Sequence, residues 1–340
     1  MRRVQVIGQP GSVGLARDLG FMAKALSDCA CQVVATAVAP DEPHGHSSTL
    51  EQVGAGLRAV LTLGRDQAAA GAQPFDLNVM LEHLWPRFFT QARLNVAVPN
   101  PEWFDRRDVR ALGAVDHVWA KTANTKRIFE RRGKRATEIG FDSEDRHDPG
   151  VARERIFFHL AGNSPMKGTA RLVRLWRQHP SWPTLIVVQH LADGSPSPPS
   201  SGNVEVISSY VPEDDLKRLQ NRCAFHLCPS ETEGWGHYLV EAMSVGATTI
   251  TVDAPPMNEL VTSERGILVA HDRTLRQRLA ERYLFDEEAL AVGVEQAIAM
   301  RPGELAARGA AARQWFLQNK AGFAGRVARA LASMDASPAA

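Results

Sequence analysis

The chain has 340 residues, about twice the ~150 usual for one domain, so two domains of similar size are expected. Its 39 lysines and arginines stand against 38 acids, a formal charge of +1, which excludes a protein built mainly as a polyelectrolyte partner of nucleic acid or anionic membrane. With 44% hydrophobic residues, 23% charged residues and 4 cysteines, it is neither a disordered chain nor a disulfide-stapled one.

Residues 4–7 read as a first strand directly after Met1-Arg2-Arg3, not as a secretory leader, and no apolar run of ~18 residues suggests a membrane span. Gly8, Pro10, Gly11 and Gly14 then make a glycine-rich turn, followed by Leu15, Leu19, Met22 and Leu26 at helical spacing. The turn lacks the G-x-G-x-x-G spacing of a dinucleotide fingerprint. Cys29 and Cys31, and likewise Cys223 and Cys228, lack the paired C-x2-C spacing of a zinc ribbon and read as free thiols of a reducing cytosol. Residues 40–73 give no clear pattern. Strands are expected at 32–38, 77–81, 94–98, 115–120 and 137–139, with a helix over 122–132 opened by a threonine cap. The run Lys121, Lys126, Arg127, Arg131, Arg132, Lys134 and Arg135 reads as a solvated face, or else as a surface that steers an anionic acceptor.

Around 141–155 the sequence becomes strongly charged and loses periodicity, as an interdomain linker would. A second cycle follows, with strands at 156–160, 185–188, 204–207, 225–227 and 248–252 and helices at 169–178, 213–220 and 238–245. Such alternation gives a parallel sheet wrapped by helices in each half. A Ser/Pro-rich loop falls at 193–203. The tail from Glu287 is alanine-rich and helical, with Phe323, Val327 and Leu331 at intervals of four. The expected division is 1–150 for an N-terminal domain, 151–315 for a C-terminal domain, and 316–340 for a terminal helix that packs back on the first.

The chemistry concentrates between Pro229 and Met243, after a buried strand and into a helix, where ligands sit in open α/β sheets. Gly234 and Gly236 let backbone approach a ligand closely, and the free N–H groups of the following helix attract phosphate. Glu233 on the loop and Glu241 on the helix are eight positions apart. A carboxylate beside an anion site suits a ligand that also offers vicinal hydroxyls, and a sugar nucleotide offers both. The plainer alternative is that Glu231 and Glu233 only complement the helix dipole.

This stretch resembles the donor-binding signature of the retaining glycosyltransferases of family 4, the group 1 glycosyltransferases with the two-domain GT-B fold. Glu233 and Glu241 form its E-x7-E, followed by Ala242-Met243 and Gly246. The resemblance continues through 248–252, Asn258-Glu259-Leu260-Val261 and Gly266-Ile267-Leu268-Val269, and reaches upstream to Phe158–Thr169. It implies an α/β protein of two Rossmann-like doubly wound domains facing each other across a cleft. Glu241 would hold the nucleotide ribose, Glu233 the donor sugar and Lys167 the diphosphate. Backbone N–H groups from Trp235 through Gly236 and His237 to Tyr238 would hold sugar and phosphate, and Tyr210 would border the base. Asn163 stands where family members usually carry a second phosphate-binding cation. The family's catalytic histidine, placed after a strand of the first domain, would be His83, with Glu82, Glu102 and Asp105 as competing carboxylates. Gly11 and Gly14 would lie in a loop facing the cleft.

The implied activity is transfer of a sugar from a nucleotide-diphosphate sugar to a hydroxyl acceptor, with retention. The acceptor is a glycan, a lipid-linked sugar, a small molecule or a modified nucleic acid. No cofactor is expected. No D-x-D occurs in the chain, so no metal is expected either, since helix N-terminus and lysine can neutralise the leaving diphosphate. The expected location is cytoplasmic, with room for peripheral contact at the inner face of the membrane. A nucleotide-sugar hydrolase, epimerase or phosphorylase on the same scaffold, and a non-catalytic module binding a nucleotide sugar or glycan, remain as alternatives.

Overall fold

Strands bound for the middle of a parallel sheet need apolar side chains on both faces. In the first strand Val4, Val6 and Ile7 are completely buried. The computed structural model describes residues 1–9, 13–39, 73–162, 164–189 and 199–335. They form two compact units, one of Met1–Asp142 with Gly322–Ala340, the other of Ser143–Ala321. The patternless region 40–73 lies outside the described residues up to 72, as does most of the loop expected at 193–203.

In the first unit β1 (Arg3–Gly8), β2 (Gln32–Ala37), β3 (Phe75–Glu82), β4 (Ala92–Pro99), β5 (His117–Ala120) and β6 (Ala136–Glu138) form one sheet in the order β2-β1-β3-β4-β5-β6. Every pairing is parallel. The helices are α1 (Val13–Asp28), α2 (Arg106–Ala111) and α3 (Ala123–Glu130). The expected threonine cap is present, since Thr122 Oγ1 accepts the Thr125 N–H at 3.1 Å. Residues 322–335 of the last helix belong to this unit, where Phe323 meets Phe141 at a ring distance of 5.2 Å.

One member of the basic run departs from its expected place. Arg127, Arg131, Arg132 and Arg135 are exposed, but Lys121 is 2% exposed and its ammonium binds Asp18 at 2.7 Å and Asn100 at 3.1 Å. Position 121 directly follows β5, where a side chain at the end of a buried strand turns inward instead of joining the helix face that comes after.

The second unit repeats the plan. Its strands are β7 (Glu154–Gly162), β8 (Leu185–Gln189), β9 (Val204–Ile207), β10 (Cys223–Cys228), β11 (Thr248–Val252) and β12 (Gly266–Val269). Between and after them run α4 (Thr169–Arg177), α5 (Glu213–Arg222), α6 (His237–Ser244), α7 (Met257–Leu260), α8 (Glu287–Ala299) and α9 (Pro302–Asp335). The parallel order is β12-β11-β10-β7-β8-β9. Phe157 stacks on Phe225 at 4.7 Å and meets Trp176 at 4.9 Å, so α4 is pinned to the sheet by ring contacts worth about 0.5–1.5 kcal/mol each beyond their buried area.

Two features of this unit differ from the sequence reading. Residues 143–153 are irregular, as their lost periodicity implies, yet they are not a loose connection. The Arg146 N–H donates to Ser244 Oγ at 3.0 Å, its carbonyl accepts from Asn221 Nδ2 at 2.7 Å, and its side chain is 1% exposed. Residues 271–285 form an antiparallel hairpin, β13 (His271–Gln277) with β14 (Ala280–Phe285), which sequence patterning does not mark. Its first strand is exposed nearly throughout, so no face had to become apolar.

Candidate functional site

The second sheet reverses its winding between β7 and β10, its neighbouring central strands. Loops at the carboxyl ends of two such strands diverge and leave a crevice, the usual ligand site of a doubly wound sheet. The loop after β7 carries Lys167 and the loop after β10 carries Glu233. The two loops are tied together: the Glu231 N–H donates to the Met166 carbonyl at 2.9 Å. Glu231 itself is 6% exposed and is clamped by the hairpin, through Arg282 on its carboxylate and the Tyr283 N–H on its carbonyl at 2.7 Å. It is a structural anchor rather than a dipole-complementing surface acid.

Glu233 does something else. Its Oε1 takes the Lys167 ammonium and the Ser230 hydroxyl. Lys167 Nζ also lies 3.7 Å from the centroid of the Tyr238 ring, a cation–π contact. The Tyr238 hydroxyl meets Ser230 Oγ at 2.5 Å. Burial pushes the Tyr238 phenol well up, so it stays a neutral hydroxyl. Glu241 follows Tyr238 by three positions, hence on the same face of α6. Lys167, Glu233 and Glu241 all act electrostatically on the Cys228 thiol at the end of β10, whose titration burial drives upward.

The helix start is shaped by Gly236, which caps α6 at φ +83°, a left-handed conformation. A Cβ there would come within 2.8 Å of Leu239 Cδ1 and 3.3 Å of Glu233 Cγ. The neighbouring side chains are engaged elsewhere: Trp235 Nε1 donates to Ser143 Oγ at 3.0 Å, and His237 Nδ1 lies 2.8 Å from the same hydroxyl. With the indole of Trp235 and the imidazole of His237 turned to Ser143, the backbone of Gly236 forms the start of α6. Glu241 is 3% exposed and accepts from Gln220 Nε2 at 3.1 Å.

Not every expected residue joins this group. Tyr210 is 81% exposed beside a recess of about 490 Å³ lined with Ile207, Val211 and Leu219. No hydrogen bond, ion pair or ring contact among the described residues joins it to Lys167, Glu233 or Glu241. Asn163 and Gly11 lie outside the described residues, and Gly14 falls in the first turn of α1.

In the first unit His83 follows β3, at the reversal between β1 and β3. It is 8% exposed, with Nδ1 2.8 Å from Asp108 Oδ2. Asp108 also accepts the Leu84 N–H at 2.8 Å and the Asp105 N–H at 3.0 Å, closing a capping box with Asp105 at the start of α2. Asp105 is thus a cap, and Glu102 is 4% exposed. Glu82 takes a left-handed φ of +65°, and burial raises its carboxyl above the usual range, against the pull of His83 and Lys121. Sequence reasoning missed Ser230, Gln220, Arg146 and Asp108. Only Ser230, three positions before Glu233, lies close enough to the motif to have been found from it.

Among the described residues no group of three or more His, Cys, Asp and Glu is arranged to hold a metal. No helix among them is long and apolar enough to cross a membrane.

Residues 201–313 match the family described as Glycosyl transferases group 1. Over 82 residues, 24% of this chain, the sequence is 32% identical to the serotype-specific mannosyltransferase WbdA of Escherichia coli, and that alignment spans a tenth of the relative's length. Among solved structures, HepE of Anabaena in complex with UDP and glucose superposes with a TM-score of 0.67 at 16% identity, covering 98% of this chain and 100% of that one. Sucrose-phosphate synthase from Thermosynechococcus elongatus gives 0.64 at 14%, with 99% and 100% covered. A glycosyltransferase from Rickettsia africae gives 0.67 at 12%, with 98% and 97% covered. At these identities the structural likeness speaks for the fold alone. The chain carries a glycosyl transferases group 1 segment over residues 201–313, and its two doubly wound sheets are those of the GT-B fold.

Proposed function

We propose that the protein transfers a sugar from a nucleotide-diphosphate sugar to a hydroxyl acceptor, with retention of anomeric configuration and without a bound metal. The observation that carries this reading is the meeting of the Lys167 ammonium and the Glu233 carboxylate over the Tyr238 ring, at the start of α6. A cation, a carboxylate and a helix N-terminus where two central strands end suit a ligand with both phosphates and hydroxyls. The group 1 match, which covers Glu233, Tyr238 and Glu241, supports it, as do a mannosyltransferase relative and a neighbour of the same fold that holds UDP and glucose.

In this reading Lys167 exchanges Glu233 for phosphoryl oxygens when donor binds, and Glu233 then takes sugar hydroxyls. Glu241 takes the ribose hydroxyls. The bond from the anomeric carbon to the phosphate oxygen breaks as the acceptor oxygen bonds that carbon, and the acceptor proton passes to the departing phosphate oxygen. Lysine and helix N–H groups, already oriented, stabilise the charge that develops on the diphosphate. His83, oriented by Asp108, is the catalytic residue assigned to the first unit. The assigned place of action is the cytoplasm.

The test is incubation with a panel of labelled nucleotide sugars, with and without candidate glycan, lipid-linked and small-molecule hydroxyl acceptors. Acceptor-dependent nucleotide release that persists in EDTA, with the anomer retained in the product, is expected. Release without acceptor marks a hydrolase, and saturable donor binding with no release marks a binding module. Either result overturns the proposal.

A further inference from the structure

A carboxylate removed from water needs donors, and one that must present a fixed oxygen to a ligand needs them in a fixed direction. Glu241 is buried on α6, and Gln220, at the end of α5, donates Nε2 to its Oε2 at 3.1 Å. Gln220 is 1% exposed, and its Oε1 accepts from Arg146 Nε at 2.9 Å. The Arg146 guanidinium is buried as well; its Nη1 pairs with Glu213 and lies 3.3 Å from Glu144, two acids whose side chains are about half exposed. A polar chain therefore runs inward from the surface: acids, guanidinium, amide, carboxylate.

The direction of that chain follows from donor chemistry. A guanidinium only donates, so it can face Gln220 only through the amide oxygen, which leaves the amide –NH2 pointed at Glu241. A flipped amide would set N–H against guanidinium and oxygen against carboxylate, two repulsive contacts in a buried place. The backbone of Arg146 is anchored to both helices involved, donating its N–H to Ser244 on α6 and accepting from Asn221 on α5. Position 146 thus spaces α5 from α6 while its side chain sets the polarity of Gln220.

We propose that Gln220 and Arg146 are positioning residues for ribose recognition: Arg146 fixes the amide of Gln220, and Gln220 fixes the carboxylate of Glu241 against the ribose hydroxyls of the donor. The proposal rests on the reading of Glu241 as the ribose ligand. It assigns function to a segment, 143–153, that lies well upstream of the group 1 match.

The experiment measures, by calorimetry on the full chain, affinity for whichever of the uridine, guanosine and adenosine diphosphates the protein binds, and for the 2′,3′-dideoxy counterpart of that nucleotide. Gln220→Glu keeps a partner for Arg146, so the fold is held, but it turns an acceptor toward Glu241. It is expected to weaken the ribonucleotide about tenfold or more and to leave the dideoxy nucleotide within about twofold. Gln220→Met, which removes the donor without adding charge, is expected to show the same selectivity with a smaller loss. Glu241→Ala is the control and is expected to erase the preference for the ribonucleotide. Equal weakening of both nucleotides by both Gln220 variants shows a merely structural network and overturns the proposal, even where Glu241→Ala erases the ribonucleotide preference. A Glu241→Ala variant that keeps the full ribonucleotide preference overturns the ribose reading itself, and the proposal with it.

Discussion

Lys167 Nζ sits 3.7 Å from the centroid of the Tyr238 ring while it binds the Glu233 carboxylate, so one ammonium is shared between an acid and a π face. The two side chains come from loops after different central strands. Among the described residues no second carboxylate pairs with the cation at the helix start, which suits a group that exchanges partners.

Replacing Lys167 with Met should leave the far-ultraviolet circular dichroism unchanged and cost nucleoside diphosphate affinity about tenfold or more, the scale of a charge-assisted hydrogen bond. Affinity for the corresponding nucleoside, which has no phosphates, should stay as it is. Titration calorimetry with both ligands checks this, and equal losses would remove the diphosphate role.

Gly236→Ala should be harmful twice over. A residue with a Cβ at φ +83° costs about 1–2 kcal/mol, and that atom would press on Leu239 and on Glu233. Thermal unfolding should move down by several degrees and donor affinity should fall. Gly202→Ala, at φ +57° with open space around a Cβ, separates the two effects, since it should carry the backbone cost alone.

Asp108→Asn should slow turnover with little change in donor affinity. The substitution keeps the size of the side chain but puts an amide where a carboxylate faces His83 Nδ1 at 2.8 Å. It also weakens the capping box of α2, a loss of about 1 kcal/mol. Steady-state kinetics beside a denaturation curve distinguishes the two: a stability loss with unchanged kcat would leave Asp108 as a cap only.

Acid should destabilise the second unit well before its carboxylates titrate. His159 and His226 are buried in β7 and β10, and burial lowers both to about 4 from the usual 6.5. Each neutral ring is held, His159 by Leu227 O and Thr169 Oγ1, His226 by Gln220 O. A histidine depressed in the folded state takes up its proton more readily when unfolded, so its stabilising effect is complete above pH 6.5 and fades as the pH falls toward 4. At pH 5 the loss is about 2 kcal/mol for each. Urea midpoints at pH 7.5 and 5 should differ accordingly, and equal midpoints would contradict the burial of these rings.

Thiol labelling of the native protein should stop at Cys29 and Cys31. Both are half-buried, whereas Cys223 and Cys228 are buried, the former pushed up to about 12 and the latter further. Labelling of either core cysteine before unfolding would show that β10 opens.

The sequence by itself determined the alternation of strands and helices in both halves and the place of the glycine-containing loop between β10 and α6. Apolar runs such as 185–188 are strands because burial on both faces leaves few other residue types acceptable. Gly236 is legible for a similar reason, since few residues besides glycine tolerate its backbone. Glu233, Glu241 and Lys167 are legible as candidates because their pattern is local: Lys167 and Glu233 each lie five positions past a strand end, and Glu241 lies on the helix that follows Glu233.

Only the tertiary structure decided the partners of those residues. Lys121 looks like one more surface cation until the end of β5 turns it toward Asp18, and Arg146 looks like linker until α5 and α6 close around it. Arg146 and Gln220 are 74 positions apart, and Lys167 and Glu233 are 66. Periodicity reports which face of an element meets the core, because that repeats along the chain. Which buried donor meets which acceptor does not repeat. It is fixed by loop closure and helix packing over long separations, and so it emerges only when the sheet has brought its strand ends together.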